Sequence, residues 1–252
     1  MSRRRFIADE VMADRAALLG AHAAHLVRVL RVRAGQEYEI VAEGHVRRGR
    51  IAVVQPERVE FELGAEIAEE SAAPVTLWLA VFKFDRMEWA IEKCTELGVT
   101  RIVPLIAART DAHLAAAAEK RVLRWRRIAV QASEQSRRAG PPDIAMPVKF
   151  RSSAPLTSTA ENFSATREKA TASVRIVLAE SEHRRSLMEA MTPSSEARTI
   201  ELAVGPEGGW TDTELEWFIR SGWIPASLGP TILRAETAAI AAVAIVSSAY
   251  GW

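Results

Sequence analysis

The sequence has a single cysteine among its 252 residues, no long apolar run and almost no net charge. One cysteine, Cys94, excludes an intramolecular disulfide and a zinc site built from several cysteines. The five histidines lack the spacing of metal ligands, so we expect no metal site. The N-terminal stretch MSRRRFIADEVM lacks the apolar core of a signal peptide. No run is long enough to cross a bilayer. These absences predict a cytoplasmic protein without a membrane partner.

The charge is balanced, with 33 Lys and Arg residues against 32 Asp and Glu residues, so net charge excludes no class of partner. The arginines are nevertheless clustered, as in RRR at residues 3–5, RWRR at 124–127 and SRR at 136–138. Such clusters either form a basic patch that binds nucleic acid or are solvated surface arginines. Composition alone leaves both interpretations open.

The pattern of apolar residues changes near Pro74. In the first part, VEFELG at residues 59–64 alternates apolar and acidic residues, which predicts a half-buried strand. Residues 37–54 predict a hairpin and residues 22–30 a short helix. After Pro74, continuous apolar runs alternate with helical patterns, which predicts a mostly parallel sheet with helices on both faces. We therefore expect an α/β protein with a small β domain at its N-terminus.

Capping signals predict where two of the helices begin. Asp85 with Glu88, and Thr211 with Glu214, have the spacing of a capping box, in which each side chain bonds to the other residue's backbone N–H. We expect both pairs to start helices.

Other elements are predicted from periodicity. A long arginine-rich helix is expected from residue 119 to residue 139, and a short strand at residues 226–229. Residues 151–173 are predicted as a loosely amphipathic helix. Trp125 and Cys94 fall on apolar helix faces and are expected in the core.

The stretch LAVGPEGGWT at residues 202–211 places an apolar strand directly before a glycine-rich turn. Ligands of open parallel sheets bind beyond the carboxyl ends of the strands, and glycines allow a close approach to the backbone. However, the stretch matches neither the dinucleotide-binding GxGxxG nor the P-loop GxxxxGK[ST]. Taken alone, it favours a plain structural turn.

A second stretch, SLGPTILRAETAAIAAVAIV at residues 227–246, changes that interpretation. Another Gly-Pro turn follows another predicted strand and leads into a helix too apolar on all sides to face solvent. Arg234, Glu236 and Thr237 lie at the start of that helix and need partners there. The simpler alternative is that Arg234 and Glu236 pair with each other or cap the helix.

Together, VGPEGGWTDTELE at 204–216 and LGPTILRAETAAIAA at 228–242 resemble the C-terminal signature of the SPOUT class of RNA methyltransferases. The chain is most similar to the RsmE family of 16S ribosomal RNA uridine-N3 methyltransferases. Two departures are VAEGH, where the family usually has an Asp-Gly turn, and the variant SRRAGPP. Further similar stretches, which extend the resemblance over nearly the whole chain, are RRRF at 3–6, HLVRVLRVRAGQ at 25–36, KFDRMEWAIEKCTELGVTRIVPL at 83–105 and RWRRIAVQASEQSRRAGPPDI at 124–144.

The resemblance implies two domains. Residues 1–72 would form a PUA-like β-barrel that binds RNA, and residues 73–252 a SPOUT domain with a deep trefoil knot, which ordinary topological rules disfavour. It also implies a homodimer, a 16S ribosomal RNA substrate in the 30S subunit, and S-adenosylmethionine as the cofactor. The residues implied to bind the cofactor are Leu178, Ala179, Glu180, Gly205, Pro206, Glu207, Gly208, Gly209, Leu228, Gly229, Ile232, Leu233 and Thr237.

Methylation at uridine N3 requires a nitrogen that has lost its proton and lies in line with the methyl group. Arg234 is the catalytic candidate for stabilising negative charge on the uracil, with Glu236 orienting it. No residue stands out as a general base, and the reaction needs no metal. The candidates for binding RNA phosphates are Arg3, Arg4, Arg5, Arg28, Lys83, Arg86, Arg109, Arg137 and Arg138.

Two alternatives remain open at this point. The cofactor loops are shared across the SPOUT class, so the substrate could be transfer RNA or 23S ribosomal RNA. The chain could also be a non-catalytic RNA-binding assembly protein, which need not bind S-adenosylmethionine. A Rossmann oxidoreductase is disfavoured because no glycine fingerprint follows the first strand of the α/β part.

Overall fold

The computed structural model of the protein describes most of the chain and divides it into two compact units. One unit is built from the first 71 residues together with Val130–Pro141, and the other from the remainder. The predictions for Arg3, Arg137 and residues 151–172 fall outside the described residues. The described residues are 4–67, 74–136, 138–150, 173–191 and 199–250.

The first unit contains a six-stranded sheet with the order β1-β4-β5-β6-β3-β2. β1 runs parallel to β4, and all the other neighbouring strands are antiparallel. The strands are Arg5–Ile7 (β1), Glu10–Met12 (β2), Arg15–Leu19 (β3), Glu37–Ala42 (β4), His45–Gln55 (β5) and Arg58–Glu66 (β6).

The predicted hairpin and the predicted alternating strand are both confirmed. β4 and β5 are joined at Glu43 and Gly44, whose φ angles of 52° and 83° suit a two-residue hairpin turn. On β6, the apolar residues Val59, Phe61 and Leu63 are buried, as their period of two predicts.

The predicted helix at residues 22–30 is confirmed, although its second half has a different geometry. Gly20–His25 is an α-helix (α1), and Leu26–Leu30 is a π-helix that ends at Arg31, whose φ is 52°. The Asp9 carboxylate accepts a hydrogen bond from Leu19 N (2.7 Å), which satisfies an N–H group at the start of α1.

The second unit is a seven-stranded sheet in which every described pair of strands is parallel. Its order is β10-β8-β7-β12-β11-β13, with β9 also paired to β8. The strands are Val75–Ala80 (β7), Arg101–Ile106 (β8), Asp143–Ile144 (β9), Val148–Lys149 (β10), Ser173–Leu178 (β11), Thr199–Val204 (β12) and Ile224–Ala226 (β13). The helices are Phe84–Glu96 (α2), Ala112–Ser136 (α3), Leu187–Met191 (α4), Asp212–Arg220 (α5) and Ala235–Tyr250 (α6); α3 belongs to the first unit from Val130 onward.

Helices cover both faces of this sheet, as predicted. Leu77 and Leu79 point into a core shared with α2, α3 and α6, whereas Trp78 points into a second core with α5. Trp125 and Cys94 are fully buried in the first core, which confirms the prediction that both lie in the core. Burial raises the pKa of the Cys94 thiol.

Among the described residues, no helix is long and apolar enough to cross a membrane. No cluster of His, Cys, Asp or Glu among the same residues could hold a metal ion.

A hydrogen-bond network joins three neighbouring strands of the second sheet. Glu201 on β12 accepts from Trp78 Nε1 on β7 (2.8 Å) and from Arg175 Nε on β11 (3.1 Å). Because one carboxylate bonds both neighbours, it helps to fix β12 in its place between β7 and β11.

The predicted bounds of two elements are wrong. α3 runs from Ala112 to Ser136 and not from residue 119 to residue 139; it begins earlier because residues 115–118 are all alanine, the strongest helix former. The strand predicted at 226–229 is Ile224–Ala226; it stops before Gly229, whose φ of 130° does not continue a strand.

The capping box predicted at Asp85 is also wrong. α2 begins one residue earlier, after Lys83, and no side chain caps its N-terminus. Glu88 instead accepts a hydrogen bond from Arg124 Nε on α3 (2.7 Å). A long-range ion pair therefore replaces the local interaction that the spacing predicted.

Candidate functional site

A cleft of about 800 Å³ opens beyond the carboxyl ends of β11, β12 and β13. It is lined mainly by the segments that follow these strands, at residues 178–181, 204–210 and 226–235. They are neighbours because β11 lies between β12 and β13 in the sheet. The volume falls within the usual range of small-molecule sites, roughly 300–1,000 Å³.

The cleft brings together nearly all the residues that the sequence assigned to a cofactor. Each of them lines it except Thr237, which is exposed in the first turn of α6. Arg234 lines the cleft as well. Among the described residues, nothing forms a hydrogen bond or ion pair with the Arg234 guanidinium.

The loop after β12 is a tight turn held by a distant arginine. Gly209 N donates to Pro206 O (2.8 Å), and Gly209 has a φ of 69°, which glycine adopts readily. Arg109 Nη1 donates to Gly208 O (2.7 Å) and to Trp210 O (3.2 Å). The structure therefore assigns Arg109, which was expected to contact phosphate, to the carbonyls of this loop.

Trp210 connects the loop after β12 to the one after β11. Its indole Nε1 donates to Leu178 O (3.0 Å), and its ring packs against Phe218 at 4.9 Å between centroids. A Cβ at Gly205 would lie only 3.2 Å from the Trp210 ring, so a glycine leaves room for the indole. Sequence reasoning missed Trp210, and its only signal was its place directly after the glycine turn.

The predicted capping box at the start of α5 is confirmed. Thr211 Oγ1 accepts from Glu214 N (3.2 Å), and Glu214 Oε2 accepts from Thr211 N (2.9 Å). The other oxygen, Oε1, accepts from Ala108 N (2.7 Å) in the loop after β8. Glu214 is only 3% exposed, so one buried carboxylate fixes both the helix start and a neighbouring loop. The second role was not predicted.

Arg86 on α2 lies between two carboxylates. Its Nη1 donates to Glu207 Oε1 (3.1 Å), and its Nε lies 3.7 Å from Glu236 Oε1. Glu236 is 5% exposed, and its Oε2 has no hydrogen-bond partner among the described residues. The structure thus pairs Glu236 with Arg86, and no described contact joins it to Arg234. Through Arg86, the loop after β12 is connected to the start of α6.

The loop after β13 is held mainly by local hydrogen bonds. Ser227 Oγ donates to Gly229 O and accepts from Gly229 N, both at 3.1 Å. Ser227 O accepts from Leu187 N (2.9 Å). Further along, Ile232 is 82% exposed at the rim of the cleft.

The described candidates for RNA binding lie in different environments. Arg86 and Arg109 line the cleft. Arg5 Nε donates to Glu39 Oε2 (3.0 Å). Burial lowers the pKa of Arg138 to about 10. The exposed ones are Arg4, Arg28 and Lys83.

Comparison with known sequences places the chain among RNA-modifying proteins. Residues 69–247 match the family model of the RNA methyltransferase domain. The ribosomal RNA small subunit methyltransferase E of Synechocystis sp. is 31% identical over 251 residues, which cover 98% of this chain and 78% of that protein. The protein of the same name from Mycobacterium tuberculosis is 32% identical over 228 residues, 88% of this chain and 82% of that one.

Solved structures give the same result. The ribosomal RNA small subunit methyltransferase E of Neisseria gonorrhoeae, bound to S-adenosyl methionine, matches with a TM-score of 0.79 and 27% identity over 98% of both chains. A putative methyltransferase of Legionella pneumophila, in complex with the same cofactor, matches with a TM-score of 0.76 and 25% identity over 99% of this chain and 98% of that one.

Proposed function

Since the chain belongs to the ribosomal RNA small subunit methyltransferase E (RsmE) family of RNA methyltransferases, we propose that it transfers a methyl group from S-adenosylmethionine to N3 of a uridine in 16S ribosomal RNA. The observation that carries this proposal is the cleft beyond β11, β12 and β13, lined by all the residues that the family signature assigns to the cofactor except Thr237. The substrate is the assembled 30S subunit in the cytoplasm.

The residues of the cleft fit this cofactor. A Cβ at Gly229 would meet no heavy atom within 4 Å, so the space over this backbone is open to a ligand. Leu178, Leu228 and Leu233 add apolar surface and Glu180 a carboxylate, a combination that suits an adenosine with a cationic tail. Backbone N–H and C=O groups of residues 205–209 and 228–233 would hold the base and ribose. The bound cofactor supplies an electrophilic methyl group.

Arg234 is the residue that we assign to charge stabilisation. Before uridine N3 attacks, it gives up its proton to solvent, and the negative charge that is then spread over the uracil ring is stabilised by a positioned guanidinium. Arg234 lines the cleft, and no described residue engages its guanidinium, so it is available to the substrate. Glu236 acts as a positioning residue: with Arg86 it holds the first turn of α6, which Arg234 immediately precedes.

We also carry over the finer features of the family as proposals. These are the deep trefoil knot, the homodimer, a PUA-like barrel for RNA binding at residues 1–72 and the methyltransferase domain at residues 73–252. β12 enters the sheet between β7 and β11, which both precede it in the chain, and this supports a threaded topology. Among the described basic residues named from the sequence, the exposed Arg4, Arg28 and Lys83 would bind phosphates of the RNA.

Two measurements test the function. Calorimetric titration of the protein with S-adenosylmethionine should give one site per chain; no binding would favour the non-catalytic assembly protein. Ribosomal and transfer RNA from cells with and without the gene should differ by one N3-methyluridine in 16S RNA, which stops reverse transcription because the methyl group blocks base pairing. A difference confined to transfer RNA or 23S RNA would refute the proposed substrate.

A further inference from the structure

A second cleft, of about 550 Å³, is lined only by residues of the first unit. Its floor is apolar and is formed by Phe6, Leu18, Leu26 and Leu30. At its mouth, Val29 is 64% exposed. An apolar floor of this kind, open to solvent on one side, offers a surface on which a flat ligand can stack.

Polar side chains with unused hydrogen-bonding capacity surround this floor. Gln131 and Gln135 project from α3 one turn apart, and no other described side chain forms a hydrogen bond with their amides. Arg4 is exposed at the cleft, and within the described chain its guanidinium is also unpaired. Amide groups recognise the edges of nucleobases, and a guanidinium binds phosphate.

An acidic residue is held at the same cleft by a histidine. His22 Nδ1 donates to the Asp9 carboxylate (3.0 Å), and His22 Nε2 lies 3.9 Å from Glu134 Oε1. Burial raises the pKa of Glu134, while the charge of His22 opposes this shift. A half-buried carboxylate of this kind accepts hydrogen bonds from N–H donors, which are present on the pairing edges of bases.

The cleft wall contains a rare backbone geometry. Leu26, Val29 and Leu30 belong to the π-helix that ends at Arg31 with a φ of 52°. π-Helical segments are uncommon and occur often at functional sites, and a positive φ at a non-glycine residue is also unusual. The π-helix and the positive φ of Arg31 lie next to Val29, which is exposed at the mouth of the cleft.

These observations lead to one inference, which rests on the proposed function as an RNA enzyme. We propose that this cleft binds a single unstacked nucleotide of the RNA substrate, with its base on the apolar floor, its pairing edge against Gln131, Gln135 and Glu134, and its phosphate at Arg4. A base that is stacked in a duplex cannot enter. The first unit therefore selects single-stranded RNA.

The test fills the cleft without changing its charge. In Val29→Trp the indole occupies the mouth; in the matched control, Val53→Trp, the same change is made at a 36% exposed valine on β5 that does not line the cleft. Fluorescence anisotropy would measure the Kd for a labelled single-stranded RNA decamer of mixed sequence and for a duplex of equal length. Val29→Trp should weaken single-strand binding about tenfold, the scale of one base stack, and leave duplex binding unchanged. Val53→Trp should bind both probes as the wild type does.

A second variant covers the case in which Val29→Trp fails to fold. Gln131→Ala/Gln135→Ala changes two exposed positions and should also weaken single-strand binding without affecting the duplex. A single-strand Kd within twofold of wild type in a folded variant would overturn the proposal. So would a variant that keeps both RNA affinities but loses activity on 30S subunits, because the cleft would then contact a ribosomal protein.

Failure here and failure of the proposed function give different results. The anisotropy measurement needs no cofactor, and calorimetry with S-adenosylmethionine on the same preparations should give equal affinities for Val29→Trp and wild type. If the wild type did not bind S-adenosylmethionine, the methyltransferase assignment would be refuted. The RNA anisotropy measurement would still test whether the second cleft binds a nucleotide.

Discussion

The loops after β12 and β13 line the same cleft but are held in different ways. The loop after β12 is braced by side chains from three other parts of the unit: Arg109 bonds its carbonyls, Arg86 bonds Glu207, and Glu214 connects the following helix to the loop after β8. Such a loop needs little reorganisation when a ligand arrives, and so little binding energy is lost.

The loop after β13, which contains the proposed catalytic Arg234, is held by fewer side-chain hydrogen bonds among the described residues. Its side-chain hydrogen bonds are those between Ser227 and Gly229, Ile232 is largely exposed, and no described residue pairs with the Arg234 guanidinium. The two loops therefore differ in rigidity: the first is braced by other parts of the unit, and the second contains Arg234, the residue that we propose to contact the substrate. Substitutions in the first should therefore reduce stability, and those in the second should reduce turnover.

The largest expected effect is on turnover. Arg234→Ala should lower kcat by about 10²- to 10³-fold, the scale for removing one positioned charge-stabilising donor, with the cofactor Kd and the melting temperature unchanged. Arg234→Lys should recover part of the rate, because the charge is kept but the planar donor is lost. Arg220→Ala, at an exposed arginine on α5, is the control. A kcat within fivefold of wild type for Arg234→Ala would remove the distinction between the loops.

The braced loop should show its largest effect in stability. Glu214→Ala leaves the N–H groups of Thr211 and Ala108 without their buried acceptor, which should cost about 2–3 kcal/mol of unfolding free energy. Denaturant titration measures this, and calorimetry should show weaker cofactor binding. The matched variant Glu216→Ala, two residues along on the exposed side of α5, should change stability by less than about 0.5 kcal/mol. Equal losses of unfolding free energy for Glu214→Ala and Glu216→Ala would show that the Glu214 hydrogen bonds do not stabilise this part of the unit.

Gly205→Ala should have an intermediate effect. The new methyl group would press on the Trp210 ring, and overpacking of this kind costs about 1–2 kcal/mol. The double variant with Trp210→Phe makes room for the methyl group, so the two substitutions should be less damaging together than their separate effects predict. Strict additivity in denaturant titrations would contradict the packing argument.

Arg109→Ala should give the smallest change. Its two hydrogen bonds to the loop come from an exposed side chain, so we expect a loss of about 0.5–1 kcal/mol. Because the loop would still fold but be less rigid, the cofactor Kd should rise a few-fold while kcat stays unchanged. A fall in kcat without a change in Kd would mean that Arg109 contacts the RNA.

The parts of the cleft that the sequence predicted are local or belong to a family signature. The Thr211–Glu214 capping box follows from two residues three positions apart, and the glycine turn follows a readable strand. The bracing contacts were not predictable, because Arg109 and Gly208 are 99 positions apart and Arg86 and Glu207 are 121 apart. Arginine as a residue type does not specify whether its partner is a phosphate, a carboxylate or a carbonyl.

The fold, like the cleft, was predictable only in part from the sequence. Alternating apolar runs predicted the class and both helix layers, since periodicity reports which face is buried. Three details depended on forces that the pattern does not display: the alanines that extend α3, the ion pair that draws Glu88 away from the start of α2, and the π-helix at Leu26–Leu30, for which the sequence offers no signal.

The position of β12 has a consequence for biosynthesis. It lies between β7 and β11. Its Glu201 accepts a hydrogen bond from Trp78 on β7, which is 123 positions away in the chain. Such long-range parallel pairing is slow to form, and here the middle of the sheet stays vacant until the strand at residues 199–204 has left the ribosome. Nascent chains that stop earlier expose β7 and β11 along unpaired edges, so premature termination should yield products that chaperones bind and proteases remove rather than a smaller working enzyme.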